Sequence, residues 1–153
     1  ILDDTGERIA VGATLSALFF TETRKLCMDR EKIALADIGH GELLLGIERR
    51  FICKEQFCLV EKRRVRPSML DGVGHVNNTR YGDFVYDAMS ERERKRLGEL
   101  SRLDVWFTSE LTEGSEFTVE RAAAGDHLAI YKGVALPDGK QSFAMKLHFN
   151  EES

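Results

Sequence analysis

The stretch LDGVGHVNNTRY, residues 70–81, lies directly before the strongest helical pattern in the chain. Its two glycines allow a sharp turn, Asn77 is a suitable helix N-cap, and Val76 can pack against the first helical turn as a hydrophobic staple. Asp71 and His75 stay unexplained, because helix initiation requires neither of them. The stretch therefore predicts a helix start and, at the same place, a candidate reaction centre.

The helix that we predict after this stretch runs from Asn77 to Leu97. Its apolar residues recur at i, i+3, i+4 and i+7, the spacing of one buried helix face. These residues are Tyr81, Phe84, Val85 and Ala88. The far end of the pattern, SERERKRLG, is strongly charged and closes on Gly98, which predicts a solvated C-terminus.

Strands are predicted on both sides of the helix. After it, the hydrophobic period changes to 2 in LSRLDVWFTSEL, EFTVERAAA, HLAIYKGVAL and QSFAMKLHFN, with EG, GD and PDG as the turns. Before it, EQFCLVEKRRVRPSML also alternates and ends at Pro67. Short turns imply antiparallel neighbours, and a helix with one apolar face needs a sheet to cover it. We expect an α+β fold in which an antiparallel β-sheet wraps around one long central α-helix.

The N-terminal residues are predicted to form a separate piece of structure. Asp-Thr-Gly lies between two apolar segments, which favours a hairpin over residues 1–21, and the charged, glycine-containing segment 22–46 reads as a linker. We expect residues 47–153 to form a complete domain. The chain starts without methionine in an apparent strand, so we expect residues 1–46 to be the end of an earlier unit in a longer protein.

Composition narrows the class of protein. The 153 residues carry a formal net charge of −4 with a pI of about 5.6, which gives no general attraction to nucleic acid. Cys27, Cys53 and Cys58 match neither a redox nor a zinc spacing, so we expect reduced thiols. No apolar run approaches the length of a membrane span. A cytoplasmic protein without metal or organic cofactor is the resulting expectation.

Asp71 and His75 admit two interpretations on residue types alone. An acid and a histidine at i and i+4 beside a helix start suit carbonyl chemistry, with Asp71 as nucleophile or general base and His75 orienting the substrate or transferring a proton. The backbone N–H groups of His75 and Val76 would then be free to bind an oxyanion. The alternative is a hydrogen-bonded structural pair.

The motif resembles that of the acyl-acyl-carrier-protein thioesterases, which have the hot-dog fold and the pattern D-x-N-x-H-V-N-N-x-x-Y at the helix start. The match runs from Asp71 to Tyr81 with one departure, Val73. The segment ELSRLDVWFTSELTEGS resembles the family's first strand after the helix, where Glu110 falls on the position of a catalytic glutamate. The segment DDTGERIAVGATLSALFFTETRKL resembles the end of the first of two hot-dog repeats, with Thr23 and Arg24 opening the linker.

This resemblance implies roles for particular residues. Asp71 would be nucleophile or general base, His75 its partner, and Glu110 the group that positions water. Leu111 stands where plant members carry a cysteine, so no cysteine nucleophile is implied there.

The substrate-binding positions implied are Val73, Val76 and Asn77. At the position of Val73 the acyl-carrier-protein enzymes usually have a hydrogen-bonding asparagine. Hot-dog thioesterases that act on coenzyme A esters have a variable residue there, within D-x-x-G-H-V-N-N. Valine therefore leaves the carrier of the acyl group open.

The leading hypothesis is hydrolysis of fatty acyl thioesters in fatty acid biosynthesis, with acyl carrier protein bearing the acyl phosphopantetheine as the partner. Acyl-CoA hydrolysis and a non-catalytic acyl-binding module are the alternatives, and a dehydratase or hydratase is a weaker third. The basic run EKRRVR is typical of a solvated strand face, with contact to an acidic carrier as the minority interpretation. An open sheet edge also favours pairing with another hot-dog repeat or a homodimer.

Overall fold

The structure is a computed structural model that describes residues 1–17, 19–20, 22–23, 25–29 and 45–150. The chain divides into two compact units, Ile1–Arg50 and Phe51–Ser153. The linker predicted over 22–46 lies mostly outside the described residues, including Arg24 at its start.

The first unit contains the turn expected from Asp-Thr-Gly. Asp3 Oδ1 accepts hydrogen bonds from the backbone N–H groups of Thr5 at 2.9 Å and Glu7 at 2.8 Å, and Gly6 has a φ of 84°. Beyond this turn, Leu2 and Arg8 form an isolated bridge, and Ile1 exchanges backbone hydrogen bonds with residues 9 and 10. Among the described residues of 1–21, the turn of the predicted hairpin is therefore present, but its two strands are not.

The second unit is built on one antiparallel sheet. Its strands are β1 (Phe57–Arg64), β2 (Leu100–Phe107), β3 (Glu116–Ala123), β4 (Leu128–Leu136) and β5 (Gln141–Phe149). Their order in the sheet is β1-β3-β4-β5-β2, and every neighbouring pair is antiparallel. The strand predicted before the helix and the four predicted after it are all confirmed.

The helical segment is divided, unlike the single helix predicted from Asn77 to Leu97. Helix α1 spans Arg80–Ala88, helix α2 spans Glu91–Lys95, and a 3-10 turn follows at Leu97–Glu99. The predicted continuous helix is therefore wrong.

The break between the two helices lies at Ser90, which caps α2. The backbone of Ser90 is extended, with φ −64° and ψ 157°, and its hydroxyl accepts a hydrogen bond from the Glu93 N–H at 3.3 Å. The Glu93 carboxylate in turn accepts from the Ser90 N–H at 2.9 Å, which completes a capping box. The sequence Ser-x-x-Glu signals this second start.

Helix α1 supplies the apolar face that the sequence predicted. Its buried residues are Tyr81, Phe84, Val85 and Ala88. The rings of Phe84 and Phe117 lie 5.0 Å apart, and those of Tyr81 and Phe143 lie 4.9 Å apart, so α1 packs on strands β3 and β5. Burying four such side chains stabilises the fold by about 1.5–3 kcal/mol for each large residue. The predicted packing of an antiparallel sheet on a central helix is confirmed.

Candidate active site

The segment before α1 forms a tight loop that the Asp71 carboxylate holds together. Asp71 Oδ1 accepts hydrogen bonds from the backbone N–H of Val73 at 2.9 Å and of His75 at 3.2 Å. The Asp71 N–H donates to the His75 carbonyl at 2.8 Å, and Gly74 turns the chain with a φ of 82°. Within residues 45–150, Asp71 Oδ2 accepts no hydrogen bond. One carboxylate oxygen is therefore fixed, and the other faces away from these bonds.

A second segment, far away in sequence, lies against this loop. The Val76 N–H donates to the Leu111 carbonyl at 2.9 Å, and His75 forms a bridge with Thr112. As a result, His75 Nε2 lies 3.3 Å from Glu110 Oε2, with the two side chains 27% and 51% exposed. The structure thus brings Glu110 to the histidine of the Asp71 loop, and both groups remain accessible to a substrate.

The expected oxyanion donors are not available. The His75 N–H is bonded to Asp71 Oδ1 and the Val76 N–H to Leu111. Helix α1 begins only at Arg80, so neither amide belongs to its first turn. The prediction of free donors at these two residues is wrong, because the loop and its neighbouring segment satisfy both amides.

The three residues predicted to bind substrate lie in different environments. The Val73 side chain is 75% exposed at the tip of the loop, whereas Val76 is 3% exposed and belongs to the hydrophobic core. Asn77 is half-buried, and its Oδ1 accepts from the Thr79 N–H at 3.0 Å, so it shapes the turn before the helix. Val73 and Asn77 are thus accessible from outside, and Val76 is a packing residue.

Tyr81 and Ser142 are two site residues to which the sequence interpretation gave no functional role. Ser142 is fully buried and its Oγ donates to the Ser109 carbonyl at 2.7 Å. Burial raises the pKa of Tyr81, hydrogen bonding with the Ser142 side chain and the Leu111 backbone partly offsets that rise, and the charges of Glu110 and Asp71 add to it. A serine within the apolar run of β5 was the available signal.

A small surface cavity lies elsewhere in the unit and contains none of the predicted site residues. Its volume is about 70 Å³, and it is lined by residues of α2 and of strands β3–β5, including Glu93 and Arg121. No group of three or more metal-ligating side chains occurs among the residues that the structure describes.

The family assignment follows from a comparison with protein-family models. Residues 54–151 match the acyl-ACP thioesterase C-terminal domain, which is more than half of the chain. The chain belongs to this family. Asp71, His75 and Glu110 of this thioesterase domain all fall inside the matched range, and the predicted family is confirmed.

Solved structures confirm the predicted hot-dog fold for this thioesterase domain. An acyl-ACP thioesterase from Bacteroides thetaiotaomicron aligns with a TM-score of 0.68 at 18% identity, covering 86% of this chain and 53% of that one. A protein from Lactobacillus plantarum named as an oleoyl thioesterase aligns with a TM-score of 0.60 at 17% identity, covering 88% of this chain and 55% of that one. The chain therefore spans about half the length of these two proteins.

A shorter protein shares part of the fold. A Staphylococcus aureus protein solved in complex with CoA aligns with a TM-score of 0.51 at 16% identity, covering 63% of this chain and 77% of that one. No sequence among curated proteins matches the chain significantly. Among the described residues, neither helix has the length and apolar character that a membrane crossing requires.

Proposed function

We propose that the protein hydrolyses fatty acyl thioesters at the cluster formed by Asp71, His75 and Glu110, with acyl carrier protein as the acyl carrier. The observation that carries this proposal is the distance of 3.3 Å between His75 Nε2 and Glu110 Oε2 beside the Asp71 loop. Membership of the thioesterase family supports the reaction class. The product would be a free fatty acid, as in fatty acid biosynthesis in the cytoplasm.

Glu110 is suited to activate water. Its carboxylate is half exposed and paired with His75, so a water molecule can reach it while the imidazole fixes its direction. The water oxygen would attack the thioester carbonyl carbon, its proton passing to the carboxylate. Collapse of the tetrahedral intermediate would break the C–S bond, and the proton held by Glu110 would pass to the departing sulfur to release the thiol.

Asp71 has the geometry for a second role at the carbonyl. Two backbone N–H groups fix Oδ1, which leaves Oδ2 to approach the substrate directly or through water. As a nucleophile, Oδ2 would attack the acyl carbon, the C–S bond would break and the thiolate would leave, giving an acyl anhydride that water, activated by Glu110, then hydrolyses. As a base it would share water activation with Glu110.

The proposal also names acyl carrier protein as the molecule that carries the acyl group. The family match supports acyl carrier protein. The exposed Val73 supplies no polar side chain at the position where the acyl-carrier-protein enzymes usually have asparagine, and a neighbour of the same fold was solved with CoA. Acyl-CoA hydrolysis is therefore the second candidate function.

The test is release of free thiol by the full-length protein from acyl-carrier-protein and coenzyme A thioesters of several chain lengths. We expect turnover on both carriers, with higher kcat/KM for acyl carrier protein. Higher kcat/KM for the CoA esters would establish the second candidate. Binding of both without thiol release would instead establish a non-catalytic acyl-binding module.

A further inference from the structure

Arg64 and Arg66 differ from the other arginines of the second unit in their lack of a partner. Among the described residues 51–150, neither guanidinium donates a hydrogen bond or forms an ion pair, and both side chains are exposed. Every other arginine there contacts a carboxylate or a backbone carbonyl. These arginines are Arg63, Arg80, Arg92, Arg94, Arg96, Arg102 and Arg121. An exposed guanidinium without such a partner is available to an anion from outside the chain.

The two arginines belong to the basic run EKRRVR, whose other cations are engaged. Lys62 Nζ lies 2.8 Å from Glu116 Oε2, and Arg63 Nη2 lies 2.7 Å from Asp87 Oδ2. Arg64 stands opposite Glu116 in the register of β1 and β3. Lys62 lowers the pKa of the Glu116 carboxyl, and Arg64 does so to a lesser extent, without an ion pair. The structure thus divides the run into a paired part on β1 and an unpaired part at the end of the strand.

This unpaired part lies close to the Asp71 loop. The Arg66 carbonyl accepts a hydrogen bond from the Met69 N–H at 2.9 Å, which closes a 3-10 turn, and Asp71 follows two residues later. A turn spans less than about 7 Å, and two further residues add at most about 7 Å. The Cα atoms of Arg66 and Asp71 therefore lie within about 14 Å of each other.

A second connection joins the end of β1 to the histidine of the cluster. The N–H of Val65, between the two arginines, donates to the Ser115 carbonyl at 2.9 Å. The Ser115 N–H donates to the Thr112 carbonyl at 3.1 Å, and Thr112 forms the bridge with His75. One short turn thus holds the arginines and the cluster on neighbouring segments.

We propose that Arg64 and Arg66 bind the phosphate group of the phosphopantetheine arm whose thioester is hydrolysed at the cluster. This inference rests on the proposed thioesterase function. Pantetheine separates its sulfur from the phosphate by about 15 Å, the reach of four to five extended residues. An arginine within about 14 Å of Asp71 can therefore meet the phosphate while the thioester lies at the cluster. Acyl carrier protein and coenzyme A both contain this phosphate, so the site would serve either carrier.

The distribution of charge suits a substrate that is anionic at one end only. The carboxylates of Asp71 and Glu110 repel a phosphate that comes close to them, whereas the thioester carbonyl is neutral. Arg64 and Arg66 supply positive charge at a distance that the far end of the arm can reach, and a guanidinium can donate to two phosphate oxygens at once. Because these contacts do not involve the reacting atoms, they lower KM and leave kcat unchanged.

The first test compares two thioesters that differ only in the phosphate, an acyl-phosphopantetheine and the corresponding acyl-pantetheine, with the full-length protein. We expect the double variant Arg64→Ala/Arg66→Ala to raise KM about 10-fold on the phosphorylated substrate and to leave KM unchanged on acyl-pantetheine. Arg92→Ala is the matched control, because Arg92 is an exposed arginine of α2 that lies 3.3 Å from Asp126. Equal losses on both substrates, or no loss on the phosphorylated one, would overturn the proposal.

Thioesters of the two complete carriers separate the phosphate from the rest of each carrier. Both carriers contain the phosphate, so we expect the double variant to raise KM for acyl carrier protein and for coenzyme A esters by a similar factor. A loss confined to one carrier would assign the arginines to another surface of that carrier and would overturn the phosphate site.

A calorimetric titration of the full-length protein with phosphopantetheine and with pantetheine does not depend on turnover. We expect the wild type to bind phosphopantetheine about 10-fold more tightly than pantetheine, and the double variant to bind both alike. Equal affinity of the wild type for the two compounds would overturn the phosphate site. A wild type that shows the preference but releases no thiol from any thioester would overturn the proposed function and retain the phosphate site.

Discussion

At the scale of single residues, Asp71 has both a structural and a chemical role, which two substitutions can separate. Asp71→Asn keeps an oxygen that accepts the Val73 and His75 N–H groups, so the midpoint of thermal unfolding should change little. Asp71→Ala removes both bonds and should lower the free energy of unfolding by about 1–2 kcal/mol. Thermal and denaturant unfolding of both variants check this. Equal stability of the alanine variant and wild type would contradict the loop geometry.

Val73 tests the choice of carrier. Its side chain is 75% exposed, and the bond to Asp71 comes from its backbone N–H, which every residue except proline supplies. Val73→Asn should therefore leave the fold intact and raise kcat/KM for acyl carrier protein relative to coenzyme A by roughly fivefold, the effect of about one hydrogen bond. Competition between the two thioesters measures that ratio. An unchanged ratio would remove Val73 from carrier selection.

Residue types in the sequence predicted the site only in part. Asp71, His75 and Glu110 could be proposed from the motif and its resemblance, and the structure brings the last two within 3.3 Å. The hydrogen-bond acceptors of the His75 and Val76 N–H groups could not be predicted from the sequence. The acceptor of His75 is brought to it by folding of the loop, and the acceptor of Val76 is Leu111, which lies 35 residues further along the chain. Ser142 was missed for the same reason, since its partner Ser109 follows strand β2 and lies 33 residues earlier in the chain.

At the scale of elements, Glu93 connects helix α2 to the sheet. Its carboxylate accepts from Ser90, from Tyr131 Oη at 3.0 Å on β4 and from Arg121 Nε at 2.9 Å on β3. Burial alone would raise the pKa of Glu93, but the bonds from Ser90, Arg121 and Tyr131 outweigh it and hold the pKa below its ordinary value. The ionised carboxylate is therefore part of the folded state.

This network predicts a pH-dependent stability. A lowered folded-state pKa stabilises the fold above the unfolded value of about 4.3, and that contribution is lost as pH falls through the folded pKa. Glu93→Gln should lower the free energy of unfolding by about 1–3 kcal/mol at pH 7, with a smaller difference below pH 4. Urea unfolding across pH checks it, with the 75% exposed Glu91→Gln as control. A pH-independent difference would contradict this role.

Hydrophobic periodicity predicted which helices and strands form better than it predicted where they begin and end. The i, i+3, i+4, i+7 pattern identified the buried face of α1 correctly, because that face must meet the sheet whatever the helix length. It did not show that the helix ends at Ala88, since the charged residues after Ser90 are also good helix formers. The capping box of Ser90 and Glu93, together with the sheet partners of Glu93, decides the break.

At the scale of the whole molecule, strands β1 and β2 form the edges of the sheet in the described part of the chain. The β2 edge carries Leu103 and Phe107, which are 51% and 49% exposed, and the Phe107 ring lies 5.3 Å from that of Tyr81. We expect pairing with another hot-dog repeat or a second copy to use this edge. Edge strands with exposed apolar side chains typically associate.

Two matched variants test whether the chain pairs through strand β2. Leu103→Lys should shift the purified chain toward monomer in light scattering, because a lysine on β2 would face the partner. Leu59→Lys, at a position 64% exposed on the opposite edge, should leave the molar mass unchanged. A wild-type chain that is monomeric at every concentration, or a dimer that only Leu59→Lys disrupts, would contradict pairing through β2.

The most direct test of the central claim is thiol release from an acyl-carrier-protein thioester by the full-length protein, with Asp71→Asn and Glu110→Gln beside wild type and Asp83→Asn as the control. Asp83 is an exposed helix residue paired with Arg80 at 3.0 Å, outside the cluster. The account predicts wild-type turnover, losses of about 100-fold or more in both site variants, and a normal rate in the control. Wild-type rates in Asp71→Asn and Glu110→Gln would contradict it.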